Sequence, residues 1–207
     1  MRAALRQLNL QLMPAMSAKV LIVCEGAHDS TALRAVLTRR LARAGITPAT
    51  AHNIQFVDSG GIEQIPKLSR LAKCLGFRVV AVLDYDKPGP TTDSNLVNAE
   101  ADADAVIRLP SGFAIERTLT HGVLAEHLRT AMGELKSSFE LTWPDPATLD
   151  DAAVPVFLTS NLKARSGMHD AFISALPRNV YSPVLLELLK QCERLALGPD
   201  ETYQMVV

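Results

Sequence analysis

Lys19-Val-Leu-Ile-Val-Cys24 is, from Val20 on, a continuous apolar run, mostly β-branched, ended by Glu25-Gly26. A short run without polar alternation marks a strand covered on both faces. A helix follows from about Asp29. Leu33, Val36, Leu37 and Leu41 recur at helical spacing, and Arg34, Arg39, Arg40 and Arg43 mark its wet face. Gly45 is its expected stop. Residues 54–57 form a short strand leading into Ser59-Gly60-Gly61. Ile62, Ile65, Leu68, Ala72 and Leu75 then repeat as a helix ending at Gly76. Arg78-Val-Val-Ala-Val-Leu83 is a second buried strand, running into Asp84-Tyr-Asp86. Lys87-Pro-Gly-Pro90 reads as a loop, and residues 105–109 as a fourth strand. Strands alternating with helices predict an α/β fold: a mostly parallel sheet with helices on both faces, joined by right-handed crossovers.

After Glu116 the pattern changes. Residues 122–137 are amphipathic through Val123, Leu124, Leu128, Ala131 and Leu135. Residues 143–146 and 150–151 are irregular, and residues 154–159 read as a strand returning to the sheet. Ser182 caps a last helix with Pro183 at its first position, and Gly198 ends it. The expected division is a linker helix over 1–17, a core over 18–116, a helical insertion over 117–152, and a strand with helices over 153–207 completing the domain.

Composition narrows the function. The chain has 207 residues, enough for one α/β domain with an insertion, and 48% hydrophobic content supports a true core. Aromatics at 5% argue against a stacking platform for single strands. A net charge of −1 is not that of a protein that coats DNA through basicity, though an acidic metal site can mask basic patches. Cys24, Cys74 and Cys192 are far apart, which disfavours a zinc site or disulfide framework and fits a reducing cytoplasm. No apolar run reaches the ~20 residues of a membrane span, and residues 1–16 lack a signal-peptide pattern.

In an open parallel sheet, ligands collect at the carboxyl ends of the strands. Glu25 follows the first strand there, Asp84 and Asp86 close the central one, and Asp29 lies one turn into the helix after Glu25. The skipped residue between Asp84 and Asp86 puts both on one face of an extended chain. Carboxylates so gathered repel one another and demand a cation, and oxygen-only ligands suit Mg²⁺ or Mn²⁺. One acid after a buried strand is most often a loop residue or a cap. Val-Cys-Glu25-Gly-x-x-Asp29 and Leu-Asp84-Tyr-Asp86 together are a less common coincidence.

Strand–Glu–Gly–x–x–acid, followed some 55 residues later by strand–Asp–x–Asp, resembles the Toprim domain of topoisomerases, primases and nucleases. It resembles most the OLD (overcoming lysogenization defect) nucleases, through Gly60-Gly61, Leu109-Pro-Ser-Gly-Phe-Ala-Ile-Glu116 and Asn161-Leu-Lys163. The resemblance covers residues 19–165. It implies two divalent metals held or oriented by Glu25, Asp29, Asp84, Asp86 and Glu116, and Lys163 stabilising charge on the scissile phosphate. Glu25 is a candidate for proton transfer. The alternatives are a surface lysine at Lys163, a helix-dipole acid at Glu116, and at Asp58 an acid that simply precedes the glycine turn. The activity implied is metal-dependent DNA cleavage in the cytoplasm, and cutting both strands would favour a homodimer. OLD proteins usually carry an ATPase domain ahead of the Toprim part. This chain has no Gly-x-x-x-x-Gly-Lys-Ser/Thr loop, so that domain would be a separate or excised partner. Asp29 stands where glutamate is frequent in that family.

Other readings fit less well. Ser160-Asn-Leu-Lys163 matches Ser-x-x-Lys, but no Lys-Thr-Gly follows. The histidines form no zinc motif, and His169 reads as a solvated residue at a helix start. Tyr85 should point away from the carboxylates. A haloacid-dehalogenase-like phosphatase would use Asp84 as nucleophile, but its motif wants Thr or Val where Pro88 stands. A receiver domain needs an acidic pair that Cys24-Glu25-Gly26 lacks. A non-catalytic Toprim module that scaffolds nucleic acid is the reading from another class.

Overall fold

The computed structural model describes residues 18–43, 54–198 and 200–207. The expected helix over 1–17, the stop at Gly45 and the side chains of Leu41 and Arg43 lie outside what is described.

Five parallel strands form one sheet in the order β2-β1-β3-β4-β5. They are β1 (Val20–Cys24), β2 (Ile54–Asp58), β3 (Arg78–Leu83), β4 (Ala105–Arg108) and β5 (Thr202–Gln204). Eight α-helices are described: α1 (Ala27–Arg43), α2 (Ile65–Cys74), α3 (Pro90–Asp102), α4 (Ile115–Thr120), α5 (Ala125–Ser138), α6 (Ala153–Asn161), α7 (Met168–Ala175) and α8 (Pro183–Leu197). The α/β fold with helices on both faces is Toprim-like.

Side-chain alternation along β1 divides the core. Val20, Ile22 and Cys24 face one layer, built by α1 and α4 through α8. Leu21 and Val23 face the other, built by α2 and α3 through Ile65, Leu68, Ala72, Leu96 and Ala99. A strand covered on both sides must be apolar at every position, which is why β1 shows no alternation.

Register sets the site. Cys24 is level with Asp58 of β2 and Val82 of β3, and Leu83 is level with Arg108 of β4. The carboxyl ends of four strands therefore finish at one edge. Helix dipoles add to this, since α1, α4 and α7 each carry an acid in the first turn: Asp29, Glu116 and Asp170.

Several expectations need correction. Residues 154–159 are not a strand but the body of α6. Pro155 lies in its first turn, where no intrahelical partner awaits an N–H, so the ring is tolerated there. The last strand of the sheet is β5 instead. Pro90 does not close a loop but opens α3, with the ring at the first helical position. The helix expected over 122–137 runs over Ala125–Ser138, leaving Leu124 at its N-cap and 63% exposed. Leu75 falls at the C-cap of α2 and is also exposed. Ser182 does cap α8, accepting from the Leu185 N–H, and Gly198 is its C-cap. Cys24 and Cys192 are buried, and Cys74 is exposed. Among the described residues no helix is long and apolar enough to cross a membrane.

Candidate metal centre

Glu25 leaves β1 half-buried, and its Oε1 accepts the backbone N–H of Asp84 at 2.8 Å. That bond ties the end of β1 to the end of β3, across 59 residues of sequence. Asp29, buried in the first turn of α1, turns back to accept the Gly26 N–H on Oδ2 at 2.9 Å. Each carboxylate has one oxygen committed and one left over.

The loop after β2 fixes the Glu25 backbone. The Gly61 N–H and the Ser59 hydroxyl both donate to the Glu25 carbonyl, at 2.8 and 3.1 Å. Gly61 holds φ at 128°, where a side chain is strained, and an added Cβ would lie 2.9 Å from Glu63 Oε1. Here lies the structural reason for the Gly60-Gly61 pair.

Glu116 arrives by another route. The Tyr85 N–H donates to the Phe113 carbonyl and the Gly112 N–H to the Tyr85 carbonyl, at 2.9 and 2.8 Å. These two bonds join the Asp84-Tyr-Asp86 segment to the loop that carries Glu116 into α4. The Tyr85 ring sits 4.9 Å from the Arg108 guanidinium, a cation–π contact. Glu116 is buried, 5% exposed, and faces His169 Nε2 at 3.2 Å. Asp86 is exposed, and its charge acts on both Glu25 and Asp84.

The electrostatics are those of a crowd of anions. Burial raises the Glu25 carboxyl to about 7, helped by the charges of Asp29, Asp86 and Glu63 and opposed by the Asp84 N–H. Asp29 is raised to about 6, by burial first and then by Glu116 and Asp58, against the Gly26 bond. Asp84 is pushed well above the carboxylate range by burial and by Asp29, Glu25, Glu116 and Asp86. Burial would push Glu116 up too, but the bond from His169, its own backbone and the charges of His169 and Lys163 hold it low. Cys24, just before Glu25, is buried and its thiol is raised by burial and then by Asp29, so it supplies no thiolate.

The structure thus places Asp84 within the charge range of Glu25, Asp29, Asp86 and Glu116. Lys163 is exposed past the end of α6, and its charge reaches His28 and Glu116. Asp58 spends Oδ1 on the Gly60 N–H at 2.7 Å, as the glycine-turn reading expects. Two cations of the expected wet face of α1 are engaged inside the chain. Arg34 donates to the Phe56 carbonyl at 2.9 Å, and Arg39 donates to the carbonyls of Ile173 and Leu176.

Among the described residues no three His, Cys, Asp or Glu side chains already stand in a metal-holding arrangement. The donor set nevertheless fits a hard divalent cation. It is oxygen-rich, and every main charge acting on Asp84 is a carboxylate. Such a cluster is stabilised by cations rather than by protein partners.

His169 corrects the sequence reading. It is not solvated at a helix start but 1% exposed, with its ring stacked on His28 at 4.8 Å between centroids. Sequence reasoning misread His169 and missed His28 and Glu63. Only His28 carried a signal, standing beside Asp29 on the same turn.

The family model of the overcoming lysogenization defect protein-like TOPRIM domain matches residues 16–86. Residues 16–86 are thus similar to an OLD-like Toprim domain. No curated protein and no solved structure matches the chain. The Toprim is a nucleic-acid-related domain that binds divalent metals. The matched segment holds Glu25, Asp29, Asp84 and Asp86 and stops there, so the place of Glu116 and Lys163 beside it rests on geometry alone.

Proposed function

We propose that this chain is a divalent-metal-dependent DNA endonuclease or nickase that hydrolyses phosphodiester bonds. One observation carries the reading: at the carboxyl edge of the sheet Asp84 feels the charge of carboxylates from two other stretches, Glu25 with Asp29 and Glu116. Glu25, Asp29, Asp84, Asp86 and Glu116 are the residues that would hold Mg²⁺ or Mn²⁺, as two ions.

When bound, the ions would polarise the phosphodiester and acidify the attacking water. Glu25, raised to about 7 in the metal-free centre, keeps one oxygen not bonded to Asp84 and is the candidate for proton transfer. Glu116 is held ionised by its contact with His169. Lys163, exposed and near enough for its charge to act on Glu116, would meet negative charge developing on phosphate oxygens. The finer assignments are proposals of the same kind: DNA as substrate, a cytoplasmic setting, a homodimer for double-strand cutting, a separate or excised ATPase domain, and a core over 18–116 with a helical insertion over 117–152.

Purified protein incubated with supercoiled plasmid and Mg²⁺ or Mn²⁺ tests the reading. Nicked or linear product should appear, vanish with chelator, and vanish in Asp84→Ala and Glu25→Ala variants that keep the wild-type circular dichroism spectrum. Undiminished cleavage by either folded variant contradicts the assigned roles. Metal-dependent DNA binding without any cleavage would favour the non-catalytic Toprim module, and turnover of a small phosphate monoester the phosphatase.

A further inference from the structure

The first turns of three helices bring two histidines to one acid. His28 comes from α1, Glu116 from α4 and His169 from α7. His169 Nε2 lies 3.2 Å from Glu116 Oε1, with both side chains almost fully buried. His169 Nδ1 is also buried and has no hydrogen-bond partner. The outer face of the ring is covered by His28, inclined by 29°.

Placing an imidazole in a core with one nitrogen unbonded costs free energy. A residue kept only to fill space would be better served by an apolar ring. What His169 supplies and a phenyl ring cannot is one donor, fixed in direction, aimed at one carboxylate oxygen. The hydrogen on Nε2 goes to Glu116, and the bare lone pair at Nδ1 is cheaper to bury than an unmet N–H. With Oε1 so held, Oε2 is the atom of Glu116 left to face the acidic edge.

We propose that His169 is the positioning residue of the centre: it fixes Glu116 for cation binding, and His28 packs over it to lock the imidazole. This rests on the metal-centre reading above, but asks something different of it. His169 does not touch substrate or ion. It sets the rotamer of a carboxylate that does. Partners of this kind typically change metal affinity 10- to 100-fold when removed.

Mn²⁺ affinity, measured by calorimetry on the full chain, is the readout. His169→Phe keeps a ring against His28 and deletes the donor. His169→Gln deletes the ring but offers an amide N–H at a similar distance. The expected result is an affinity about tenfold or more weaker in His169→Phe, most of it recovered in His169→Gln, with metal-free melting temperatures of the variants close together. In a Glu116→Gln background, His169→Phe should change affinity less than twofold. Unchanged affinity in His169→Phe overturns the inference and leaves the metal centre standing. Equal weakening by Phe and Gln also overturns it, since a structural role alone predicts that. A wild-type chain that binds no Mn²⁺ overturns the metal centre itself, and the inference with it. Should His169→Phe fail to fold, the wild-type imidazole ¹⁵N spectrum decides: the Nε2 resonance must shift as Mg²⁺ is added to saturation, and a fixed resonance refutes the role.

Discussion

Asp84 sits where chain direction and charge conflict. Its N–H serves Glu25, while its half-buried carboxyl lies within the charge of four others. The two Asp-x-Asp acids and Glu25 were legible in the sequence because a strand's carboxyl end is a fixed address in a parallel sheet. Glu116 was legible only through resemblance, and the contact that orders it was not legible at all. His169 lies 53 residues away, and no periodicity links them. Lys163 belongs to this scale. If it meets phosphate rather than metal, Lys163→Ala should lower the nicking rate at least tenfold while Mn²⁺ affinity by calorimetry stays within about twofold. A wild-type rate would return it to the ordinary surface.

Elements whose period was unambiguous came out where expected. β1 is apolar at every position, and β3 from Val79 onward, because both faces are covered, and α1 repeats its core residues on one side. The misread element is α6. Val154-Pro-Val-Phe-Leu158 is rich in β-branched and aromatic residues, which favour strands in isolation. Packing of Val154 and Leu158 against the helical layer overrides that preference. β5 went unread because it is only three residues long, with an exposed–half-buried–exposed pattern. The β2–α2 turn carries a testable strain. Gly61→Ala places a side chain at φ 128°, and the cost should be about 1–3 kcal/mol in urea unfolding. The Gly61 N–H holds the Glu25 carbonyl, so metal affinity should fall as well. A neutral substitution would show that the loop does not fix Glu25.

At the scale of the molecule, a two-layered core supports an edge that works against folding. Burying one apolar side chain contributes roughly 1.5–3 kcal/mol, and all five residues of β1 are buried. Each pKa unit on an edge acid is worth about 1.4 kcal/mol, less for Glu25, which water partly screens. The core therefore outweighs the repulsion, and the repulsion sets a pH dependence. Glu25, Asp29 and Asp84 have pKa values raised on folding, so the stability they contribute is full below the ordinary carboxylate range. It is lost as pH rises through about 6 for Asp29 and about 7 for Glu25. Glu116, His28 and the exposed Glu187 act in the opposite sense. The metal-free protein should melt several degrees lower at pH 8 than at pH 5.5, and saturating Mn²⁺ should close that gap at pH 8. Scanning fluorimetry with and without chelator checks both halves; a metal-free midpoint that rises with pH would refute the sign.

The most direct measurement is an anomalous difference map from a crystal soaked in Mn²⁺. Peaks should lie at the carboxyl edge of β1 and β3, within about 2.0–2.3 Å of oxygens from both the Glu25–Asp29 turn and the Asp84–Asp86 segment. Peaks elsewhere, or none there at saturating Mn²⁺, would contradict the centre described.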